Sequence, residues 1–198
     1  MNMSNNYKDN ARDDLKDLEE AINVIMQIRK SKESDIEAVG KFYDEVILWL
    51  DAHINYPKWQ YKIYPCEKYA RDMTEKGFQY VCTEDDKIIA AFVLNNDPEG
   101  AYEKGSWSRA LPDGSFMVIH ALAISDKYRG QGLGSKIVEY CISEAKKQGY
   151  KGMRLDIVPG NEPAKRLYEN NGFTYVGDAN LDRGTEHIPK FSLYELYW

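Results

Sequence analysis

The segment that most constrains this chain is Asp126-Lys127-Tyr128-Arg129-Gly130-Gln131-Gly132-Leu133-Gly134-Ser135. It follows Phe116 to Ile124, the most strand-like run in the sequence. It leads into Leu133 to Gln148, where Leu133, Ile137, Cys141 and Ala145 recur at helical spacing and Gly149 stops the pattern. A strand must therefore pass into a helix through alternating glycines. Glycine permits the sharp turn and lets a ligand approach the backbone. Successive N–H groups at the start of a helix, aided by its dipole, form a site for phosphate oxygens. Arg129 adds a fixed cation and Ser135 a hydroxyl.

Three other readings compete for the same residues. A Walker A loop requires Gly-Lys-Ser/Thr after a first glycine, and the order Gly134-Ser135-Lys136 does not supply it. A dinucleotide fingerprint is approximated by Gly130, Gly132 and Ser135, with Asp156 downstream. Yet Asp156 falls inside its strand, and no run of further strand-helix units follows. A structural turn without a ligand leaves the alternation of glycines beside an arginine unexplained.

The remaining pattern alternates strands and helices. Ile25 to Arg29 reads as a first strand. Ser34 or Asp35 then caps a helix with Ile36, Val39, Phe42, Val46 and Leu50 on one face. Asn55 to Tyr64 is an aromatic-rich loop, and Cys66 to Glu75 a short helix stopped by Gly77. Phe78 to Thr83 and Lys87 to Leu94 form a hairpin. The glycines and prolines of Asn95 to Gly114 exclude one regular element there. Lys151 to Val158 is a strand, and Pro163 to Asn171 a helix with proline in its first turn and Gly172 past its end. Phe173 to Gly177 and Phe191 to Tyr197 close the chain. Strand-helix alternation in the middle implies parallel pairing; hairpins at both ends make the sheet mixed. Leu15, Leu18 and Ile22 suggest an extra helix after a disordered Asn2 to Asn10. The domain reading is thus 1–24 as an extension with a short helix and 25–198 as one folded domain.

No apolar run approaches the length of a membrane span, and no secretory-type apolar stretch opens the chain. Cys66, Cys82 and Cys141 lie far apart, which fits a reducing, cytoplasmic location. With only His53, His120 and His187 besides, the residues speak against a dedicated metal site. A net charge of -6 speaks against a general nucleic-acid binder, and no apolar segment suggests a membrane partner.

Arg129-x-x-Gly132-x-Gly134 resembles the pyrophosphate loop of the GNAT (GCN5-related) N-acetyltransferases. Leu155-Asp156-Ile157-Val158-Pro159-Gly160-Asn161 is similar to that family's fifth strand and following turn. Lys165-Arg166-Leu167-Tyr168-Glu169-Asn170-Asn171-Gly172-Phe173 matches its Leu-Tyr-x-x-x-Gly-Phe helix. The resemblance is strong over Phe116 to Val176 and rests on element order alone from Ile25 to Leu94.

It implies an α/β architecture, the acyl-CoA N-acyltransferase fold. That fold has a mixed sheet of six to seven strands flanked by helices and splayed between the fourth and fifth. It implies acetyl-CoA as cosubstrate, without a metal. The backbone of Leu122, Ala123 and Ile124 would face the pantetheine arm. Arg129, Gly130, Gln131, Gly132, Leu133, Gly134 and Ser135 would hold the pyrophosphate. Asn161 would bind the pantetheine, although it also reads as a helix N-cap. Tyr168 stands at the position of the general acid; core packing is its other reading.

An attacking amine must be neutral, and only about one in a thousand lysine-like amines is neutral at pH 7. His120 is the candidate base, reading as sharing a face with Val118, Leu122 and Ile124, or else as a packed histidine; His187 is the weaker candidate. His-Ala-Leu-Ala is also similar to the strand of arylalkylamine acetyltransferases. A backbone N–H near the end of that strand would meet the oxyanion.

A catalytically quiet coenzyme A-binding regulator of the same fold is the alternative to an enzyme. The acceptor is expected to be a small-molecule or exposed amine, cationic before it binds. The expectation comes from three rim loops: His53, Tyr56, Trp59, Tyr61 and Tyr64; Asp97, Glu99, Glu103, Trp107 and Asp113; Asp178, Asp182 and Glu186. An acidic acceptor would instead need Arg109 or Arg183. Oligomeric state stays open, a homodimer among the options.

Overall fold

The computed structural model describes residues 26–184 and 187–198. The extra helix expected before Asn23 and the loop residue Glu186 lie outside the described residues. A seven-stranded mixed sheet runs in the order β1-β2-β3-β4-β5-β7-β6. Its strands are β1 (Gln27–Lys30), β2 (Gln79–Glu84), β3 (Lys87–Asn95), β4 (Met117–Ile124), β5 (Gly152–Ile157), β6 (Thr174–Ala179) and β7 (Phe191–Tyr197). The helices are α1 (Ile36–Asp51), α2 (Glu67–Glu75), α3 (Leu133–Lys147) and α4 (Glu162–Asn170). Every pairing is antiparallel except β4 with β5. The fold class inferred from the sequence is the one observed.

Each helix forms because its apolar residues recur on one side. On α1, Ile36, Val39, Phe42, Val46 and Leu50 are all buried. Val39, Phe42, Val46 and Leu50 pack with Ala70 of α2 against Val81, Ala91 and Ala123 on one face of the sheet. On α3, Leu133, Ile137, Cys141 and Ala145 join Tyr168 of α4 against Phe92, Met117 and Leu155 on the other. A third cluster, Tyr102, Phe116, Val118, Leu181 and Leu193, extends the core beneath the loop 96–114. That loop holds only a 3₁₀ turn, Tyr102–Lys104. Its Tyr102 is almost wholly buried.

Three details differ from the sequence reading. Asp35 occupies the N-cap position of α1 but does not cap it by its side chain. Its carboxylate instead accepts from the Lys32 N–H at 2.7 Å and pairs with Arg29 at 2.6 Å. Asn95 belongs to β3 rather than to the loop, and it is buried.

The third difference is a bulge at Ala121, which has a φ of 47°. The β3 register jumps there, from Val93 opposite His120 to Ala91 opposite Ala123. One inserted residue reverses the alternation beyond it. Val118 packs with Phe116, whereas Leu122 and Ile124 pack in the opposite cluster with Met117 and Ile119. His120 follows Val118, so it does not share a face with Leu122 and Ile124.

Candidate active site

The parallel pair β4–β5 is in register only at Met117 with Met153 and Val118 with Arg154. Beyond those two rungs the strands part. Ile119 to Ile124 and Asp156 to Val158 then face a cleft of about 1000 Å³. Such a gap leaves backbone groups that an extended ligand can pair with as an added strand.

The glycine loop closes one end of the cleft. After the 3₁₀ turn Asp126–Tyr128, Gly130 and Gly132 take left-handed φ values of 73° and 80°. A Cβ at either would meet nothing within 4 Å. Gly132 is the N-cap of α3, and the first intrahelical acceptor is used by Lys136. Among the described residues, the N–H groups from Gly130 to Ser135 have no hydrogen-bond acceptor. Bare amides converging at a helix N-terminus suit phosphate oxygens.

Gly134 has a different task. A Cβ there would lie 3.1 Å from Leu167 and 3.3 Å from Ile124, so it lets α3 approach α4 and β4 closely. The Leu133 side chain is core, and the Gln131 amide folds back on Lys127 O at 2.6 Å. Ser135 Oγ accepts from Asn171 Nδ2 at 3.2 Å, tying the loop to the end of α4. Of the residues predicted for the cofactor, Gln131 alone does not line the cleft.

Arg129 lies over the Trp49 ring, 4.0 Å from its centroid, and Trp49 stacks on His53 at 4.0 Å and 15°. Burial pulls the Arg129 guanidinium down from its ordinary range. The aromatic face compensates part of that lost hydration. Trp49 thus fixes the cation of the loop.

Asn161 caps α4, its Oδ1 accepting from Ala164 N at 3.2 Å, and it also lines the cleft. Tyr168 lines the cleft while its ring packs edge-on to Phe173 at 5.5 Å. Its hydroxyl has no hydrogen-bond partner among the described residues, and burial pushes the phenol up. It is therefore protonated at neutral pH and free to donate.

The tautomer of His120 follows from its neighbours. Nε2 lies 2.9 Å from the Asp97 carbonyl and 3.1 Å from Asn95 Oδ1. The latter also accepts from Asp97 N at 3.0 Å, which fixes the Asn95 amide with oxygen toward the ring. Both neighbours of Nε2 are acceptors, so Nε2 carries a hydrogen, and in the neutral ring Nδ1 is the nitrogen with the lone pair. Nδ1 lies 3.9 Å from Glu99 Oε2. The ring is held by hydrogen bonds at Nε2, as a packed histidine is, and His120 also lines the cleft. His187 is exposed on the far rim.

Asp156, the acid of the dinucleotide reading, is engaged. Arg183 grips both its oxygens at 2.7 Å, and the Tyr102 hydroxyl donates to it at 2.7 Å. Arg183 also donates to the carbonyls of Pro98 and Glu99, each at 2.8 Å, pinning two loops to β5. Of the expected acceptor-rim residues, Tyr56, Trp59, Tyr64 and Glu99 line the cleft; His53, Tyr61, Asp97, Glu103, Trp107, Asp113, Asp178 and Asp182 do not. Sequence reasoning passed over Trp49, Asn95 and the Asp156–Arg183 pair. Each is defined by a contact between residues distant in sequence, and none has a local motif.

A mixed sheet that parts between two parallel strands, with a loop of bare amides at the mouth of the gap, defines an acyltransferase architecture. The family described as Acetyltransferase (GNAT) family matches residues 45–173, more than half of the chain, and the chain belongs to that family.

Among its relatives, the uncharacterized N-acetyltransferase YesJ of Bacillus subtilis (strain 168) is 27% identical over 107 residues, 52% of this chain and 56% of that protein. N-alpha-acetyltransferase 30 of Schizosaccharomyces pombe is 29% identical over 96 residues, 48% of this chain and 57% of that protein. The chain thus spans about half the length of these curated relatives. A GNAT-family acetyltransferase from Streptococcus agalactiae 2603 superposes with a TM-score of 0.71 at 20% identity, over 87% of this chain and 95% of that one. The structure of yncA from Salmonella typhimurium with its cofactor acetyl-CoA gives 0.61 at 18% identity, over 87% and 93%. At these identities the superpositions show the fold.

Proposed function

We propose that this protein is an acetyl-CoA-dependent N-acetyltransferase in which a primary amine attacks the thioester directly. The observation that carries the reading is the run of unpartnered amides from Gly130 to Ser135, opening into the gap between β4 and β5. The residues fit the cosubstrate. The amides and Arg129 would take the pyrophosphate, the free edge of β4 at Leu122 to Ile124 the pantetheine, and Asn161 its amide. Acetyl-CoA supplies the thioester carbonyl.

The rest is done by the chain. Nδ1 of His120 takes the proton that makes the amine nucleophilic. A backbone N–H near the end of β4 receives the oxyanion. As the C–N bond forms and the C–S bond breaks, Tyr168 gives its proton to the departing sulfur and regains one from the new amide nitrogen. The proton on His120 passes to solvent, so one proton is released per turnover.

A thermal-shift titration with acetyl-CoA, followed by free-thiol release across an amine panel, tests this. An enzyme shows both stabilisation and amine-dependent release. Stabilisation without release assigns the chain to coenzyme A binding alone.

A further inference from the structure

Among the described residues the cleft wall carries two carboxylates, Asp156 and Glu99, and their situations differ. Asp156 is neutralised by its bidentate contact with Arg183. Glu99 has no lysine or arginine partner among the described residues; its nearest basic group is His120 Nδ1. It is nonetheless held in place. Its φ of 52° is a left-handed conformation that a glutamate adopts at a cost. Its N–H donates to Asp97 Oδ1 at 2.9 Å, and its carbonyl accepts from Arg183 Nε at 2.8 Å. The Tyr69 hydroxyl donates to Glu99 Oε1 at 3.4 Å, and Tyr69 packs edge-on to Tyr64 at 4.9 Å. Burial pushes both phenols up, with Glu99 adding to it, so both stay protonated beside the carboxylate. A fixed, uncompensated carboxylate with an aromatic wall lacks one component, a cation.

Resting on the acetyltransferase reading, we propose that Glu99 receives the ammonium of the acceptor beside His120 Nδ1, and that the acceptor class is a primary amine on an apolar arm with no carboxylate next to the nitrogen. The arm lies along Tyr64 and Trp59, which line the same cleft. An acceptor of the α-amino-acid type brings a second carboxylate to Glu99 and finds, among the described residues, no lysine or arginine paired with Glu99 to offset it. Arg183 is committed to Asp156 and two carbonyls. Arg129 lies on Trp49 at the glycine loop, Arg109 stacks on Tyr197 outside the cleft, and Lys58 is exposed on the rim. Glu99 also faces the imidazolium that forms when the ammonium gives up its proton, so one carboxylate accompanies the positive charge from amine to base.

The test compares pentylamine with norleucine, which differ only by the carboxylate beside the amine. Their affinities are measured by NMR titration of the full chain saturated with coenzyme A, for wild type, Glu99→Gln and Glu99→Asp. Wild type should bind pentylamine at least tenfold more tightly than norleucine, or about 1.4 kcal/mol. Glu99→Gln should bring the two to near equality with coenzyme A affinity unchanged, and Glu99→Asp should keep part of the preference. Equal affinities in wild type, or a preference that survives in Glu99→Gln, would overturn the proposal. Thiol release is followed separately. Glu99-dependent binding without release supports the amine site and removes the transferase reading; release that is indifferent to Glu99 supports the transferase and removes the amine site.

Discussion

Replacing Gly132 by valine separates the ligand role of the loop from its folding role. Gly132 has a φ of 80°, and a Cβ there meets nothing within 4 Å. The substitution therefore costs no steric clash in the free protein. It costs the left-handed backbone of an L-residue, about 1–2 kcal/mol and more for a β-branched one. For a domain of this size, that lowers Tm by roughly 2–4 °C per kcal/mol. Gly149 is the matched control, with a φ of 83° and open space around its Cβ, at the opposite end of α3. Gly149→Val should lose a similar amount of stability. Only Gly132→Val should also lose acetyl-CoA affinity, at least tenfold or about 1.4 kcal/mol, because its side chain occupies the space above the bare amides. Calorimetric titration of both variants, with their melting curves, reads the two effects apart. Equal affinities for the two variants would refute the phosphate role of the loop.

Other outcomes follow from the same geometry. Tyr168→Phe keeps the ring against Phe173 and removes the hydroxyl, so kcat should fall by roughly 10²-fold with acetyl-CoA affinity retained; wild-type turnover would return Tyr168 to packing alone. Trp49→Leu takes the aromatic face from under Arg129, and KM for acetyl-CoA should rise ~2- to 5-fold with kcat held, the equivalent of about 0.5–1 kcal/mol of cation–π contact; a fall in kcat alone would contradict that role. The Arg29 guanidinium, by hydrogen bond and charge and with help from the Lys32 N–H, holds the Asp35 carboxyl below the usual range. A lowered folded-state pKa stabilises the protein above the unfolded value near ~3.9, and the gain is lost as pH falls through the folded value. Urea melts should therefore show Asp35→Asn less stable at neutral pH, on the order of 1 kcal/mol, and converging with wild type in acid; a gap that stays constant with pH would exclude the ion pair as its source.

What could be read from the sequence was what repeats locally. The spacing of Leu133, Ile137, Cys141 and Ala145 places α3 because a helix buries every third or fourth residue. The loop before it is legible because its glycines adopt conformations that other residues avoid. The alternation of β4 misleads at one point. The inserted residue at Ala121 leaves no mark in composition, yet it turns Leu122 and Ile124 away from His120. The tautomer of His120 depends on Asn95 and Asp97, and Arg129 depends on Trp49. These contacts join segments far apart in the chain, so only the folded structure reveals them. The acceptor side is hardest to read for the same reason. Its rim loops hold many aromatic and acidic residues, and the fold selects Tyr56, Trp59, Tyr64 and Glu99 from among them.

Direct transfer to nitrogen is tested most plainly by mass spectrometry of amine and protein after incubation with acetyl-CoA carrying a labelled acetyl group. Incubated with pentylamine, the protein should yield labelled N-acetylpentylamine in step with free thiol. Incubated with acetyl-CoA alone, the protein should gain no label. Label that accumulates on the protein before appearing on the amine, or thiol release with no labelled amine, would contradict the account.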